Sequence, residues 1–277
     1  MSDLGWACGL ALLSWWLSTG VILYLNHLPR ATHRWSLAVA SILLAVCLYL
    51  LPGVSGDPSR GGAAAGFLLA LVIWGWLEMS YLMGFVTGPR SAPCPQGATG
   101  GKRFRLAIQT SLYHELAVVG TAAAIISLTW GHPNQVASWT FLVLWLMRWS
   151  AKLNLFLGVV NYNQEWLPEH LHYLGSYTRR RSMNLLFPLS VGLGTVVATA
   201  LITHGLHGAD QFERSSHALV GALLALAVLE HWFLMLPLRD SALWQWALRK
   251  KLDNLSTESE GSKRRCQDSS ECAASTG

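Results

Sequence analysis

Long apolar runs separated by short polar connections dominate this chain. Seven runs, at residues 5–26, 36–52, 63–86, 106–130, 136–158, 184–206 and 216–238, approach the length needed for a membrane-crossing helix. A helix needs roughly 20 residues to cross a hydrocarbon core of about 30 Å. Clusters of Gly, Pro, Asn and Ser between the runs mark turns. The pattern predicts an all-α integral membrane protein, a bundle of about seven transmembrane helices that forms one polytopic domain over residues 1–251.

The composition agrees with a membrane environment. Charged residues make up 13% of the 277 residues, about half of the roughly 25% that is usual in soluble domains. The chain also carries 14 tryptophans, a residue that favours the headgroup level of a bilayer. No phosphate-binding loop or nucleic-acid module is present, so the lipid bilayer is the expected partner and nucleic acid is not. The polar, Ser-rich residues 252–277 are predicted to form a disordered tail.

Basic residues are distributed unevenly among the connections. Sixteen of the 20 Lys and Arg residues lie after predicted spans one, three and five or in the tail, whereas the opposite connections hold Arg60 and Arg214. Cytoplasmic loops carry such an excess of positive charge. We therefore expect the N-terminus to face the outside, which is the periplasm in a bacterium, and the C-terminus to lie in the cytoplasm.

Ionisable residues recur at one depth within four of the predicted spans. At a rise of 1.5 Å per residue, they lie roughly 9–15 Å from the cytoplasmic ends of their spans. The predicted buried cluster consists of Glu78, His114, Glu115, Arg148, Lys152, Glu230 and His231.

Four interpretations of this cluster are open, and one of them is a proton or substrate pathway through the bundle. Arg148 and Lys152 are four residues apart on one helix face, and a charge at a helix centre costs ~3 kcal/mol, so they need carboxylate partners in an ion-pair network. A transition metal could instead be held by His114, Glu115, Glu230 and His231, although the Glu-x-x-His spacing of di-iron bundles is absent. A neutral imidazole could also ligate a tetrapyrrole, such as a bacteriochlorophyll precursor, packed against tryptophans. The aromatic candidates are Trp74, Trp76, Trp145, Trp149 and Trp232.

A second polar group follows the fifth predicted span. Leu167, Leu171 and Leu174 repeat at helical spacing after Pro168, which predicts one short interfacial helix. This segment is either an ordinary amphipathic connector or a cover for the cytoplasmic mouth of the buried cluster. The candidates for a polar path at that mouth are Asn154, Asn161, Asn163, Glu165, Glu169, His170 and His172.

Long unusual strings across most of the chain carry a family resemblance. The segments "WGWLEMSYLMGFVTGPR", "SLYHELAV", "RRRSMNLLFPLSV" and "LEHWFLMLPL" resemble the PuhE family, photosynthetic complex assembly protein 2. The likeness extends to about Arg249. It implies a multi-pass protein of the inner, cytoplasmic or intracytoplasmic, membrane of an anoxygenic phototrophic bacterium. It also implies a link to genes for the reaction-centre H subunit, to bacteriochlorophyll production and to assembly of photosynthetic complexes.

Two functional hypotheses follow. The first is an assembly factor that binds pigment, pigment-synthesis enzymes, or reaction-centre or light-harvesting subunits. The second is a membrane metalloenzyme that acts on a tetrapyrrole or another lipid-soluble intermediate through the buried His and Glu residues. The resemblance favours the first hypothesis, and the cluster of carboxylates and histidines keeps the second open.

Overall fold

The protein is all-helical over the residues that the computed structural model describes, which are residues 3–161, residues 167–236 and Trp244. The helices are α1 (Asp3–Asn26), α2 (Arg30–Ser55), α3 (Arg60–Leu82), α4 (Gly100–Gln109), α5 (Leu112–Thr129), α6 (Val136–Leu157), α7 (Leu186–His207) and α8 (Gln211–Phe233), with a 3-10 helix at Glu169–Tyr177 between α6 and α7. No strand occurs in these residues. The predicted tail at 252–277 lies outside the described part of the chain.

Six of these helices, α1, α2, α3, α5, α7 and α8, are long and apolar enough to cross a membrane. The remaining long helix, α6, has 22 residues and is therefore about 33 Å long. It carries Arg148 and Lys152 and is not among these six. The expected membrane bundle is thus confirmed as a class of fold, together with the short helix after the fifth predicted span.

Helices α3 and α8 form the centre of the bundle. More than half of the residues in the most apolar stretch of each helix are buried. The helices that pack around them are α1, α2, α5, α6 and α7. Close approach between α7 and α8 depends on the small residues Gly194 and Ala198, which are buried one turn apart on α7. A Cβ on Gly194 would lie 2.7 Å from Val228 Cγ2 of α8. Small residues commonly permit such contacts between membrane helices.

Polar side chains cap the starts of α3 and α8. Ser59 accepts a hydrogen bond from the Gly62 amide at the start of α3, with an N···O distance of 3.0 Å. Asp210 caps α8 by accepting from the Glu213 amide at 2.7 Å. Both bonds satisfy amides that have no partner within the helix.

The predicted fourth span, 106–130, was wrong as a continuous helix, because the chain breaks between α4 and α5 at Thr110 and Ser111. The preceding loop supplies the missing backbone partners: the Arg90 amide donates to Gln109 O, and the His114 amide donates to Thr87 O. Gly88 allows this approach, since a Cβ there would lie 2.1 Å from the Gln109 carbonyl oxygen. Non-helical backbone at such a place is stable only when protein groups satisfy it.

The break also changes the expected depth of the polar residues. His114 and Glu115 lie in the first turn of α5, and Glu78 lies four residues, or about 6 Å, from the end of α3. Glu230 is three residues, about 5 Å, from the end of α8. The polar layer is therefore closer to one end of the bundle than the sequence suggested.

Candidate functional site: a cavity beside two ion pairs

A cavity of about 530 Å³ lies inside the bundle, between α1, α3, α6 and α8 and the helices α4 and α5. This volume falls within the range of roughly 300–1,000 Å³ that is usual for small-molecule sites. Aromatic and aliphatic side chains form most of its wall, and six of the seven predicted cluster residues also line it. These six are Glu78, Glu115, Arg148, Lys152, Glu230 and His231. We call this space the central cavity.

Arg148 of α6 pairs with Glu78 of α3. The Arg148 Nη2 atom donates to Glu78 Oε2 at 2.8 Å. This is the one hydrogen bond that Arg148 makes to the described residues, and 40% of its side chain remains exposed at the cavity wall. The Glu78 side chain is only 10% exposed, and its Oε1 atom is enclosed without a described hydrogen-bond partner. The pair therefore presents mainly its guanidinium side to the central cavity.

Lys152, one turn farther along α6, pairs with Glu115 of α5. Lys152 Nζ lies 2.5 Å from Glu115 Oε1, and Trp149 Nε1 donates to Glu115 Oε2 at 2.7 Å. Both carboxylate oxygens are thus engaged. Lys152 Nζ also lies 5.3 Å from the centre of the Tyr81 ring, which is within cation–π distance.

The two predicted residues of α8 have different environments. Glu230 accepts a hydrogen bond from Trp15 Nε1 of α1 at 2.6 Å. His231 is buried, with its Nδ1 atom 2.8 Å from Ala227 O and its Nε2 atom 2.9 Å from Ser150 Oγ. Both imidazole nitrogens are therefore engaged: the contact with Ala227 stays within α8, and the contact with Ser150 joins α8 to α6.

His114 is the member of the cluster that does not line the central cavity. It is 1% exposed and packs against Tyr81, with 4.8 Å between the ring centres. Its Nδ1 atom has no hydrogen-bond partner among the described residues. Adjacent residues on a helix diverge by about 100°, so Glu115 faces the cavity while His114 lies behind the Tyr81 ring.

These side chains do not fit a metal ion well. In the described parts of the chain, no three His, Cys, Asp or Glu side chains form a group that could hold one. Of the four predicted ligands, His231 uses both nitrogens in hydrogen bonds, and Glu115 uses both oxygens. Two of the four ligands that the sequence suggested are therefore already engaged by the protein itself.

The residues predicted to form a polar path are mostly elsewhere. Asn161 does line the central cavity, and its amide donates to Phe233 O at 3.1 Å. Asn154 is fully buried and instead bonds to Ser150 O and Ser190 Oγ, which links α6 to α7. Asn154 thus serves helix packing, and Asn163 and Glu165, which the path also needs, lie outside the described residues.

The segment after α6 covers the cavity with different residues from those predicted. Leu167, Leu174 and Tyr177 line the central cavity. Glu169 and His172 are exposed and do not line it, and Asn163 and Glu165 lie outside the described residues.

His170 packs against Gly84, where a Cβ would lie 3.0 Å from its Nε2 atom. Burial lowers the pKa of His170, and the nearby Arg30 lowers it further, so the imidazole is neutral at physiological pH. His170 therefore serves the contact between the 3-10 helix and the end of α3.

Sequence reasoning missed the contacts that hold α4 to the 3-10 helix. Arg103 of α4 is buried, donates to Tyr177 O, and donates to Phe156 O at 3.3 Å. Arg90 Nε donates to the Tyr177 hydroxyl oxygen at 2.6 Å. The sequence showed these arginines only as part of a positively charged loop, and nothing in their spacing indicated a common tyrosine partner.

Of the five tryptophans suggested for packing against a macrocycle, Trp74 and Trp149 line the central cavity. Trp15 and Trp244, which were not in that set, line it as well. Trp76 instead donates to Ser41 Oγ of α2 at 2.9 Å. The cavity is thus aromatic, but with a partly different set of rings.

Comparisons with known proteins cover the whole helical bundle. A protein-family model described as "Protein of unknown function (DUF3623)" matches residues 1–254. The "uncharacterized 30.4 kDa protein in puhA 5'region" of Rhodobacter capsulatus is 36% identical over 250 residues, covering 89% of this chain and 91% of the relative. No solved structure matches the chain. The matched region includes every helix that borders the central cavity.

Proposed function

This chain belongs to the DUF3623 family, and on that premise we propose that it is an inner-membrane factor for photosynthesis. In this proposal it supports bacteriochlorophyll production and the assembly of photosynthetic complexes in an anoxygenic phototroph. The relative in the puhA region favours this context, as does the resemblance to the PuhE family.

The central cavity is the observation that carries the proposal. It combines a volume of about 530 Å³ with walls of Trp, Phe and Leu side chains and a polar layer on one side. Sites for small molecules and cofactors have this character, with apolar walls and a few polar groups that determine orientation. A pigment or pigment precursor is a large, flat, lipid-soluble molecule that matches these properties.

We propose that α6 also spans the membrane, which brings the number of spans to seven. Its two basic residues are paired with carboxylates, which lowers the cost of placing them in the bilayer. Seven spans and the uneven distribution of arginines favour a periplasmic N-terminus and a cytoplasmic C-terminus. In this orientation the polar layer lies toward the cytoplasmic side.

In this role the protein holds a hydrophobic intermediate away from water. The bound molecule would then pass to pigment-synthesis enzymes or to reaction-centre or light-harvesting subunits. The alternative is a metalloenzyme that acts on a lipid-soluble intermediate. It receives less support, because His231 and Glu115 are already engaged with protein partners.

A cavity-filling variant tests the proposal. Gly75 of α3 lines the central cavity, and its nearest contact would be Ile22 Cδ1 at 3.8 Å from a Cβ. Gly75→Phe therefore places a ring in this space. Gly120→Phe is the matched control, because Gly120 is exposed on α5 and a Cβ there meets nothing within 4 Å.

Both variants are expressed in a phototrophic host that lacks the native gene. We expect Gly75→Phe to insert normally yet fail to restore bacteriochlorophyll and reaction-centre levels, while Gly120→Phe restores both. Full restoration by Gly75→Phe at equal membrane abundance would contradict the proposal. Accumulation of a new pigment intermediate would favour the enzymatic alternative.

A further inference from the structure

Hydrogen-bonding capacity at the central cavity is unequally divided between donors and acceptors. A guanidinium has five N–H donors, and Arg148 uses one of them toward the described residues. Its Nε atom is enclosed without a described partner, so the donors that a ligand can reach are those of the Nη atoms. Its Nη1 atom makes no hydrogen bond with these residues, and the side chain is 40% exposed. Lys152 likewise uses one of its three ammonium donors for Glu115.

The carboxylates of the same two ion pairs have little capacity left to accept hydrogen bonds. Both oxygens of Glu115 accept hydrogen bonds, from Lys152 and Trp149. Glu78 Oε2 accepts from Arg148, and Glu78 Oε1 is enclosed. The accessible groups of the two pairs are therefore donors, and a ligand bound there must supply an acceptor.

Charge restricts the kind of acceptor. Arg148 is already balanced by Glu78, and Lys152 by Glu115. Glu230 lines the same cavity and brings a further acidic group. Adding a carboxylate would bury an extra negative charge beside these acids, which is unfavourable in a poorly solvated site. A neutral oxygen accepts the hydrogen bond without this cost.

From donor surplus and charge balance together, we infer that the central cavity binds a lipid-soluble molecule through a neutral carbonyl oxygen, as in a ketone, ester or quinone, that accepts a hydrogen bond from Arg148 Nη1. The apolar body of the ligand packs against Trp74 and Trp149. This inference rests on the proposed function for the location of the site, and it adds the chemical class of the ligand.

Porphyrins that share one ring system but differ in oxygen chemistry test this inference. The probes are protoporphyrin IX dimethyl ester, which has neutral carbonyls, protoporphyrin IX, which has carboxylates, and etioporphyrin, which has no oxygen. Binding to the full chain in mild detergent is followed by quenching of tryptophan fluorescence. A hydrogen bond to a charged donor contributes enough to strengthen binding about ten-fold or more.

We expect the dimethyl ester to bind at least about ten-fold more tightly than either other porphyrin. Glu78→Leu/Arg148→Met removes the pair without leaving a lone charge, a replacement that folded proteins tolerate. This variant should bind the ester and etioporphyrin equally. The matched control is Asp3→Leu/Arg60→Met/Arg214→Met, which removes an ion-pair group outside the cavity, in which Asp3 lies 3.6 Å from Arg60 Nη1 and 3.0 Å from Arg214 Nε. This control should preserve the ten-fold preference.

Each other outcome has a definite meaning. Tightest binding of protoporphyrin IX, or equal binding of etioporphyrin and the ester to wild-type protein, would overturn the inference while leaving a pigment site in place. Decylubiquinone supplies a neutral carbonyl without a macrocycle. If decylubiquinone is the only probe that binds, and its binding is lost in the Glu78→Leu/Arg148→Met variant, the carbonyl inference stands and the pigment function fails. If no probe binds, both fail.

Discussion

The Lys152–Glu115 pair provides the sharpest test of how the polar layer is held in the bundle. Glu115→Gln removes the carboxylate charge and leaves the Lys152 ammonium without its partner at a 2.5 Å contact. Removing one partner of a buried ion pair typically costs about 3–5 kcal/mol, because the remaining charge stays poorly solvated. The side chains are 27% and 13% exposed, so the lower end of this range applies.

A double-mutant cycle gives the magnitude of the coupling. We expect Glu115→Gln and Lys152→Met to cost about 3 kcal/mol each in unfolding free energy, and the double variant to cost about 1–2 kcal/mol. The expected coupling is therefore about 4–5 kcal/mol, since each single change leaves one buried charge and the double change leaves none.

Reversible unfolding in mixed micelles, monitored by tryptophan fluorescence, measures these free energies. Asp3→Asn with Arg60→Gln serves as the control cycle, because the atoms of that pair lie 3.6 Å apart and Asp3 has a closer partner in Arg214 at 3.0 Å. There the coupling should be below about 1 kcal/mol. Additive losses in the Lys152–Glu115 cycle would refute the reasoning.

Three further predictions concern helix packing and the 3-10 segment. Gly194→Ala should destabilise the bundle by about 1–3 kcal/mol because its Cβ meets Val228 at 2.7 Å, whereas Gly192→Ala, with open space around it, should be neutral or stabilising in the same unfolding assay. Gly88→Ala should lower the free energy of unfolding more than Gly194→Ala, because the new Cβ would meet rigid backbone at 2.1 Å. Protease cleavage in the loop before α4 should then rise, and unchanged cleavage would contradict this prediction. The lowered pKa of His170 predicts that stability falls as pH drops below about 6.5, because the unfolded chain then takes up a proton that the folded state resists, and His170→Asn should reduce this dependence.

The sequence predicted the helices well because apolar length is a strong, local property. The ion-pair interpretation rested on two bases on one face of α6 that require acids on neighbouring helices. Glu78 and Glu115 are such acids in the structure, whereas Glu230 accepts a hydrogen bond from Trp15. The partners could not be assigned from sequence, because the choice between Glu78 and Glu115 depends on helix rotation. Both pairings became visible only when α3 and α5 were placed against α6.

Other features depend on contacts between distant parts of the chain. The break before Ser111 needs the loop near Gly88 to satisfy its backbone groups, and hydrophobicity alone does not reveal that loop contact. Trp15 and Trp149 donate to carboxylates, a use that composition could not distinguish from lipid-facing tryptophan. The place of Asn154 near the end of α6 made it a candidate for the polar path at the cytoplasmic mouth. In the structure its side-chain amide donates to Ser190 of α7.

The most direct measurement is the absorption spectrum and metal content of the protein purified in mild detergent from a phototrophically grown host. We expect a near-stoichiometric tetrapyrrole that is lost in Gly75→Phe, which fills the central cavity, and retained in Gly120→Phe. Wild-type protein without pigment, or equal pigment in both variants, would contradict the claim that the central cavity is a pigment site.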